Sequence, residues 1–328
     1  MRFRQREAQR VFNLRQHLFS AEGMESLVKD REHLGAGLEA ENLFAGFRKE
    51  ALDFFAVRNI KWHGPNGTPD ASIVASQVSC VNCLFPFVSS SESLAVWLQQ
   101  IYPELAEVLP INGDAEPPLE DGRQPYLSFE WIGERRYLNE RGGGRGAFQT
   151  NADAVLRFRQ TNGKVHVVLV EWKYCESDLE PEDLRVSKNG TNRVAIYEPE
   201  LTKPGCQLTL RRIQFERLFR LPIYQMMRLQ LLASAMQRHR EMQADAVSVL
   251  HIAPRSNKDL MDAGLASALA PDCECSVPAV WSHFVEPGGF RHFATEDLIP
   301  LLTGANPGSD WALYLHKRYG ALGSHPHY

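Results

Sequence analysis

The hydrophobic pattern divides the chain into a helical first part and a second part in which strands and a helix alternate. In residues 43–58, LFAGFRKEALDFFAVR, apolar side chains such as Phe47 and Phe55 recur at the spacing of one helix face. A second apolar block, which we also predict to be helical, covers 74–102. The polar, turn-rich stretch 111–125, INGDAEPPLEDGRQP, then marks a boundary between the two parts.

After this boundary, short runs of β-branched and aromatic residues replace the helical spacing. ADAVLRFRQ and KVHVVLVEWKY are joined by Thr161-Asn162-Gly163, which is a signal for a β-hairpin. The predicted elements are strands at 125–133, 152–160 and 164–174, a helix at 222–240 and a strand at 246–254. Strands followed by a helix and a further strand indicate an α/β fold with a mixed sheet.

We therefore divide the 328 residues into a mainly helical region at 1–124 that packs on a core at 125–255, and a C-terminal extension at 256–328. Hydrophobic residues at 44% and charged residues at 23% are typical of a globular protein. No apolar run approaches the roughly 20 residues that cross a bilayer, and the start MRFRQREAQR lacks the apolar stretch of a secretory signal. We expect a cytoplasmic protein with no membrane partner.

Two charged residues stand at the end of the most apolar strand. Five of the six residues 165–170 are aliphatic, and Glu171, Trp172 and Lys173 follow them. Because side chains alternate along a strand, Glu171 and Lys173 point to one face and Trp172 to the other. A buried carboxylate and ammonium cost free energy unless they pair with each other, bind a metal or face a cleft. One interpretation is a structural ion pair at the end of the hairpin, and the other is a functional site that binds a metal ion.

The hairpin turn decides whether a second carboxylate joins them. If the loop has three residues, with Gly163 in the left-handed conformation, Gln160 pairs with Lys164 and Asp153 faces Glu171. A two-residue Asn162-Gly163 loop would instead place Asp153 opposite Trp172. In the first case the two carboxylates can share one cation. Oxygen ligands with open coordination positions suit Mg²⁺, or Mn²⁺ in its place, and a neighbouring lysine can orient or deprotonate a water molecule bound to the metal.

These residues resemble the PD-(D/E)XK nucleases, the restriction-endonuclease-like superfamily. Asp153 matches the aspartate of that superfamily and Glu171-Trp172-Lys173 its E-x-K; Ala152 departs from the proline of the pattern. More closely, the chain resembles a bacterial branch of proteins described as restriction endonucleases. That likeness is carried by EALDFFAVRNIKWH (50–63), SQVSCVNCLFPF (76–87), RGGGRGAFQTNADAVL (141–156), VLVEWKYCES (168–177) and YQMMRLQLLA (224–233).

The resemblance implies a restriction-endonuclease-like mixed sheet flanked by helices, with 125–255 as the nuclease core and DNA as the partner. It further implies that Asp153, Glu171 and the carbonyl of Trp172 bind Mg²⁺, while Lys173 positions the attacking water. Many such nucleases act as dimers, so a homodimer is compatible with it.

The resemblance also implies helper residues around this centre. A helix before the sheet often adds an acid, for which we choose Glu50, with Glu130 as its competitor. Gln225, in the first turn of the helix at 222–240, is expected to face the site.

The glycine-rich stretch RGGGRG (141–146) has neither the P-loop pattern nor a following helix. Its backbone amides, with Arg141 and Arg145, can instead contact a DNA phosphate, although a plain flexible loop has the same composition.

Two other classes of protein stay open at this point. One is a nucleic-acid-binding protein that keeps the nuclease fold but catalyses nothing, which the intact D…E-x-K set disfavours. The other is a zinc-stabilised interaction protein built on Cys80, Cys83, Cys273 and Cys275, since four thiolates form a common zinc site. Against it, CVNCLFPF runs into an apolar segment and is typical of a buried helix or strand.

Overall fold

The structure is a computed structural model that describes residues 2–111, 116–134, 136–140, 142, 144–146, 149–176, 183–210, 213–261, 269, 276–320 and 322. The first part is helical, as predicted. Its helices are α1 (Phe3–Asn13), α2 (Ala21–Lys29), α3 (Arg48–Val57), α4 (Ser76–Leu84) and α5 (Ser91–Ile101). The apolar block 74–102 is thus two helices rather than one. Pro86 lies between them, and Ser90 caps α5 by accepting a hydrogen bond from the Ser93 N–H.

Six strands form one mixed sheet. They are β1 (Leu105–Leu109), β2 (Leu127–Trp131), β3 (Ala152–Gln160), β4 (Val165–Trp172), β5 (Ala246–Ala253) and β6 (Phe290–Ala294). Strands β1 and β2 pair with successive stretches of β3, and β3 pairs with β4, all antiparallel. The pairs β4–β5 and β5–β6 are parallel, which gives the order β1-β3-β4-β5-β6. The predicted α/β fold with a mixed sheet is confirmed.

The remaining helices are α6 (Arg193–Leu201), α7 (Ile223–Arg238), α8 (Val277–Ser282), α9 (Thr295–Gly304) and α10 (Asp310–Tyr319). Helix α7 is the one predicted at 222–240. Most of its residues are buried, because it carries apolar side chains on all of its faces. No helix in the described part of the chain is long and apolar enough to cross a membrane.

The sheet separates two hydrophobic cores. Every residue of β4 is buried, and its side chains alternate between them. Val168 and Val170 contribute to the core beneath the N-terminal helices, whereas Val167 and Leu169 contribute to the core that contains α7. Burial on both faces explains why β4 is a nearly continuous aliphatic run rather than an alternating one.

The sheet extends beyond the range 125–255 that the sequence assigned to the core. Strand β1 comes from the N-terminal region, and β6 comes from the C-terminal extension. The C-terminal helix α10 also packs against the N-terminal region, because Arg318 donates hydrogen bonds to the backbone carbonyls of Asn42 and Ile73. Helix α10 is therefore part of the same packed structure as the N-terminal region.

Candidate functional site

The hairpin between β3 and β4 has the three-residue loop on which the site depends. The Gln160 N–H donates to the Lys164 carbonyl at 2.8 Å, and Gly163 has φ +82°. The register continues through the pair Ala154–Val170, so that the next pair along the strands is Asp153 opposite Glu171. Only a residue without a Cβ adopts this φ readily, so Gly163 is what fixes the register.

Asp153, Glu171 and Lys173 consequently meet at the end of the hairpin. Lys173 Nζ lies 2.8 Å from Glu171 Oε1, and both side chains are about 8% exposed. The Trp172 N–H donates to Asp153 Oδ2 at 2.6 Å. In an extended strand the N–H and C=O of one residue lie on the same edge, so the Trp172 carbonyl also faces the Asp153 side. The Trp172 indole packs on the opposite face and donates to Ser79 Oγ at 3.1 Å.

A third carboxylate, Glu130, lines the same cavity from β2. Glu130 has φ +51°, a conformation that is rare for a residue with a side chain. The register of β2 with β3 places it opposite Asp153, between the pairs Phe129–Ala154 and Trp131–Ala152. Gln77 Nε2 donates to Glu130 Oε1 at 2.7 Å, and His63 Nε2 lies 3.3 Å from the same oxygen.

These charges perturb one another strongly. Burial raises the pKa of Asp153, and the negative charges of Glu171 and Glu130 raise it further against the opposing effect of Lys173. Burial by itself would lower the pKa of Lys173, but the carboxylates of Glu171, Glu176 and Asp153 outweigh it and raise that pKa. Lys173 is therefore a charged hydrogen-bond donor at neutral pH, and the carboxylates around it outnumber it.

The residues present fit a hard divalent cation. Asp153, Glu171 and the Trp172 carbonyl offer oxygen donors alone, which is the set that Mg²⁺ and Mn²⁺ prefer. Burial, and then the carboxylates of Glu171 and Glu130, raise the pKa of Asp153, and a bound cation would favour its ionised form against these effects. Within the described residues, no three or more His, Cys, Asp and Glu side chains form a group that could hold a metal ion. The fit is thus to two carboxylates and one carbonyl.

The cluster lines a cavity of about 250 Å³, and two residues of α7 line it as well. Gln225 lines it, as the sequence predicted. Arg228, one helical turn later, also lines the cavity. Its Nε donates to Thr150 Oγ1 at 2.9 Å, and its Nη2 lies 3.2 Å from Glu140 Oε1. Helix α7 therefore supplies a neutral amide and a fixed guanidinium beside the acids, both of which are suited to contact phosphate oxygens.

The structure does not bring Glu50 to the site. Glu50 lines a different, largely apolar cavity of about 600 Å³, together with Phe54 and Trp311, and the two cavities share no lining residue. The choice of Glu50 over Glu130 was wrong because position on a helix does not reveal which way that helix turns its side chain. Glu130, the competing choice, is the acid that lies beside Asp153.

Arg145, which was expected to contact a DNA phosphate, does not lie on the surface. It is buried, its Nη1 lies 2.8 Å from Glu116 Oε2, and it donates to Ser128 Oγ at 2.6 Å and to the Phe129 carbonyl. These contacts hold the glycine-rich loop to β2, so Arg145 supports the strand that carries Glu130 rather than facing solvent. Arg141 lies outside the described residues.

Of the four cysteines of the alternative zinc site, Cys80 and Cys83 are the two that the structure describes. Cys80 and Cys83 are free thiols buried in α4, and burial raises the pKa of both well above the usual value. Cys273 and Cys275 lie outside the described residues. Cys80 and Cys83 thus pack as small core residues, which is the alternative that the apolar neighbourhood indicated.

Three residues of the site had no signal strong enough to single them out in the sequence. His63 and Gln77 come from the segments before β1, and Arg228 comes from the middle of α7. His63 ends the stretch EALDFFAVRNIKWH, which carried the family resemblance, and this was the only hint. Gln77 is polar within an otherwise apolar helix, which indicates a buried hydrogen bond but not its partner.

Comparison with known proteins places these observations in a family. A family model described as Restriction Endonuclease associating with ARP matches residues 6–320, which is nearly the whole chain. Searches of curated proteins and of solved structures gave no significant match. The matched range includes both strands of the hairpin, α7 and the C-terminal helices.

Proposed function

Since the chain belongs to the family described as Restriction Endonuclease associating with ARP, we propose that it is a metal-dependent endonuclease that hydrolyses phosphodiester bonds in DNA. The observation that carries this proposal is the convergence of Asp153, Glu171 and Lys173 at the end of one hairpin. The crowding of negative charge around one buried lysine costs stability, and chains keep such clusters where chemistry needs them. This favours an enzyme over a protein that uses the fold only for binding.

In this proposal Asp153, Glu171 and the Trp172 carbonyl hold Mg²⁺, for which Mn²⁺ can substitute. The metal would lower the pKa of a bound water and stabilise negative charge on the phosphate. The protein supplies the rest. Lys173 is held 2.8 Å from Glu171, where it is placed to orient the attacking water and to donate to a phosphate oxygen.

The neighbouring residues position the substrate. Gln225 and Arg228 face the cavity from α7, and Arg228 is fixed by Thr150 and Glu140 so that its guanidinium loses little freedom on binding. Gln77 holds Glu130 at 2.7 Å and in turn accepts a hydrogen bond from the backbone N–H of His63 at 2.8 Å. These two hydrogen bonds hold the Glu130 carboxylate in its place in the cavity.

The test is cleavage of plasmid and oligonucleotide DNA in Mg²⁺ and in EDTA. We expect cleavage only with the metal, and a loss of more than about 100-fold in Asp153→Ala, Glu171→Ala and Lys173→Ala. Glu107→Gln, an exposed acid on β1 of the same sheet, serves as the control and should cleave normally. Activity that survives both Asp153→Ala and Lys173→Ala would exclude this mechanism. A homodimer, which the resemblance allows, stays a prediction to be checked by light scattering.

A further inference from the structure

A second β-hairpin lies on the surface of the protein. In residues 185–193, RVSKNGTNR, the Ser187 N–H donates to the Thr191 carbonyl at 2.9 Å, and Gly190 closes the turn with φ +76°. The Asn-Gly turn at Gly163 has the same pattern of hydrogen bonds, so both hairpins have a three-residue loop. We refer to residues 185–193 as the surface hairpin, because all three residues of its loop are exposed.

The tip of the surface hairpin carries side chains that have no partner in the protein. Lys188 and Asn189 are exposed, and within the described residues neither forms a salt bridge or a side-chain hydrogen bond. Val186 is 55% exposed, whereas most large apolar side chains of the described chain are buried. In the major groove of DNA, lysine hydrogen-bonds guanine, asparagine hydrogen-bonds adenine, and apolar side chains contact the methyl group of thymine. The tip therefore carries the types of side chain that read base edges.

Cations outnumber acids around the base of the surface hairpin. The Leu184 N–H donates to the Phe219 carbonyl at 3.0 Å, which holds residues 213–220 against the hairpin. In the described stretches 183–193 and 213–220 the acids are Asp183 and Glu216, and the cations are Arg185, Lys188, Arg193, Arg217 and Arg220. Asp183 is paired with Arg185 at 2.6 Å, so Glu216 is the acid that remains among the other cations. A surface with a net positive charge attracts the phosphates of a nucleic acid.

The base of the surface hairpin is held next to the candidate site through Tyr224. Arg193, at which α6 begins, has its Cζ 5.6 Å from the centroid of the Tyr224 ring, and Arg228 has its Cζ 5.3 Å from the same centroid. The two guanidinium groups are therefore no more than about 11 Å apart. Arg228 lines the site cavity, as does Glu176, which precedes the hairpin in the chain. The surface hairpin thus lies beside the cluster of Asp153, Glu171 and Lys173.

The dimensions of the surface hairpin fit the major groove of a duplex. Four steps of about 3.3 Å lead from Arg185 to Asn189, so the hairpin is roughly 13 Å long, and its strands lie about 4.8 Å apart. The major groove is about 12 Å wide and about 8.5 Å deep, and it admits a two-stranded β-ribbon. At about 3.4 Å per base pair, the tip reaches bases within about seven base pairs of a phosphate bound beside Arg228.

Building on the proposed nuclease function, we propose that the tip of the surface hairpin enters the major groove of duplex DNA, where Lys188 and Asn189 read base edges a few base pairs from the cleaved bond. The cations at the base of the hairpin offset the phosphates on either side of the groove. Asp153, Glu171 and Lys173 then carry out the cleavage, whereas the surface hairpin selects the sequence that is cleaved.

The binding test selects duplexes from a random-sequence library in Ca²⁺ and sequences the bound fraction. We expect the wild type to prefer particular bases at a few positions, and Lys188→Ala and Asn189→Ala to lower that preference by about 5- to 100-fold at one or more of them. Lys164→Ala is the matched control and should keep the wild-type preference. It removes an exposed lysine beside the equivalent turn between β3 and β4, at the opposite end of these strands from Asp153. Melting curves establish that each variant is folded.

Cleavage in Mg²⁺ of the duplexes that the wild type selects separates this inference from the proposed function. A base preference that Lys188→Ala or Asn189→Ala relaxes, together with cleavage, supports both. The same preference without cleavage supports the role of the surface hairpin and removes the nuclease. Wild-type binding without base preference, tip variants that keep the preference or weaken all sequences alike, or a loss of preference in Lys164→Ala would each overturn the inference. Cleavage in any of those cases would leave the proposed nuclease standing.

Discussion

Replacing Lys173 by glutamine should destabilise the protein by removing the only cation held against Glu171 by an ion pair in the described structure. The two charges are 2.8 Å apart and nearly buried. At an effective dielectric constant of ~20 their attraction is about 6 kcal/mol, and after desolvation the loss of one partner typically costs about 3–5 kcal/mol. For a chain of this size we expect the melting temperature to fall by about 6–10 °C at pH 7, measured by calorimetry without divalent metal.

The pH dependence checks the origin of this loss. The pKa of Lys173 is raised, so its stabilising charge is fully present below the usual lysine pKa of 10.5 and is lost only as pH rises through the higher pKa of the folded state. The pKa of Asp153 is also raised, so this carboxylate is neutralised early as the solution becomes acidic. The gap between wild type and Lys173→Gln should therefore be largest at neutral pH and should narrow on acidification.

A double variant provides the control. Glu171→Gln with Lys173→Gln replaces the ion pair by two amides that can bond to each other, and it should recover most of the lost stability. If Lys173→Gln melts within about 1 °C of wild type at pH 7, or if the double variant is as unstable as the single one, the electrostatic account of the site is wrong.

Three further outcomes follow from the same geometry. Asp153→Asn should inactivate the protein yet stabilise it by about 0.5–2 kcal/mol at pH 7, measured as a higher melting temperature. This difference in melting temperature should shrink at acidic pH, because the pKa of Asp153 is raised and the wild-type carboxyl is then neutral as well. Arg145→Ala should lower the free energy of unfolding, measured in urea, by about 3–5 kcal/mol, whereas Arg159→Ala, at an exposed position, should lower it by less than about 1 kcal/mol. Equal losses in the two variants would contradict the buried position of Arg145. Burial raises the pKa of the Cys80 thiol, so mass spectrometry of the folded protein after thiol labelling at pH 8 should find Cys206 modified well before Cys80, and early labelling of Cys80 would contradict its burial.

Much of the candidate site was determined by residues that are close together in the sequence. Glu171 and Lys173 are two residues apart on one strand, so alternation alone puts them on one face. Asp153 lies on the other strand of the same hairpin, and the turn with Gly163 in the left-handed conformation sets the register that places it opposite Glu171. Local rules suffice here because one hairpin contains all three residues and leaves one short loop to decide their alignment.

Tertiary structure alone decided the rest. Glu130 lies in the site because β2 pairs with β3, and His63 lies there from a loop after α3; neither arrangement has a periodic signature along the chain. The same limit explains Glu50 and Arg145, whose residue types fitted a site while packing directed one to a separate cavity and the other to a buried ion pair. Strands β1 and β6, which lie before and after the range assigned to the core, likewise join the sheet through long-range pairing. A pattern along the chain constrains neighbours, whereas the direction of a side chain across the fold depends on how whole elements pack.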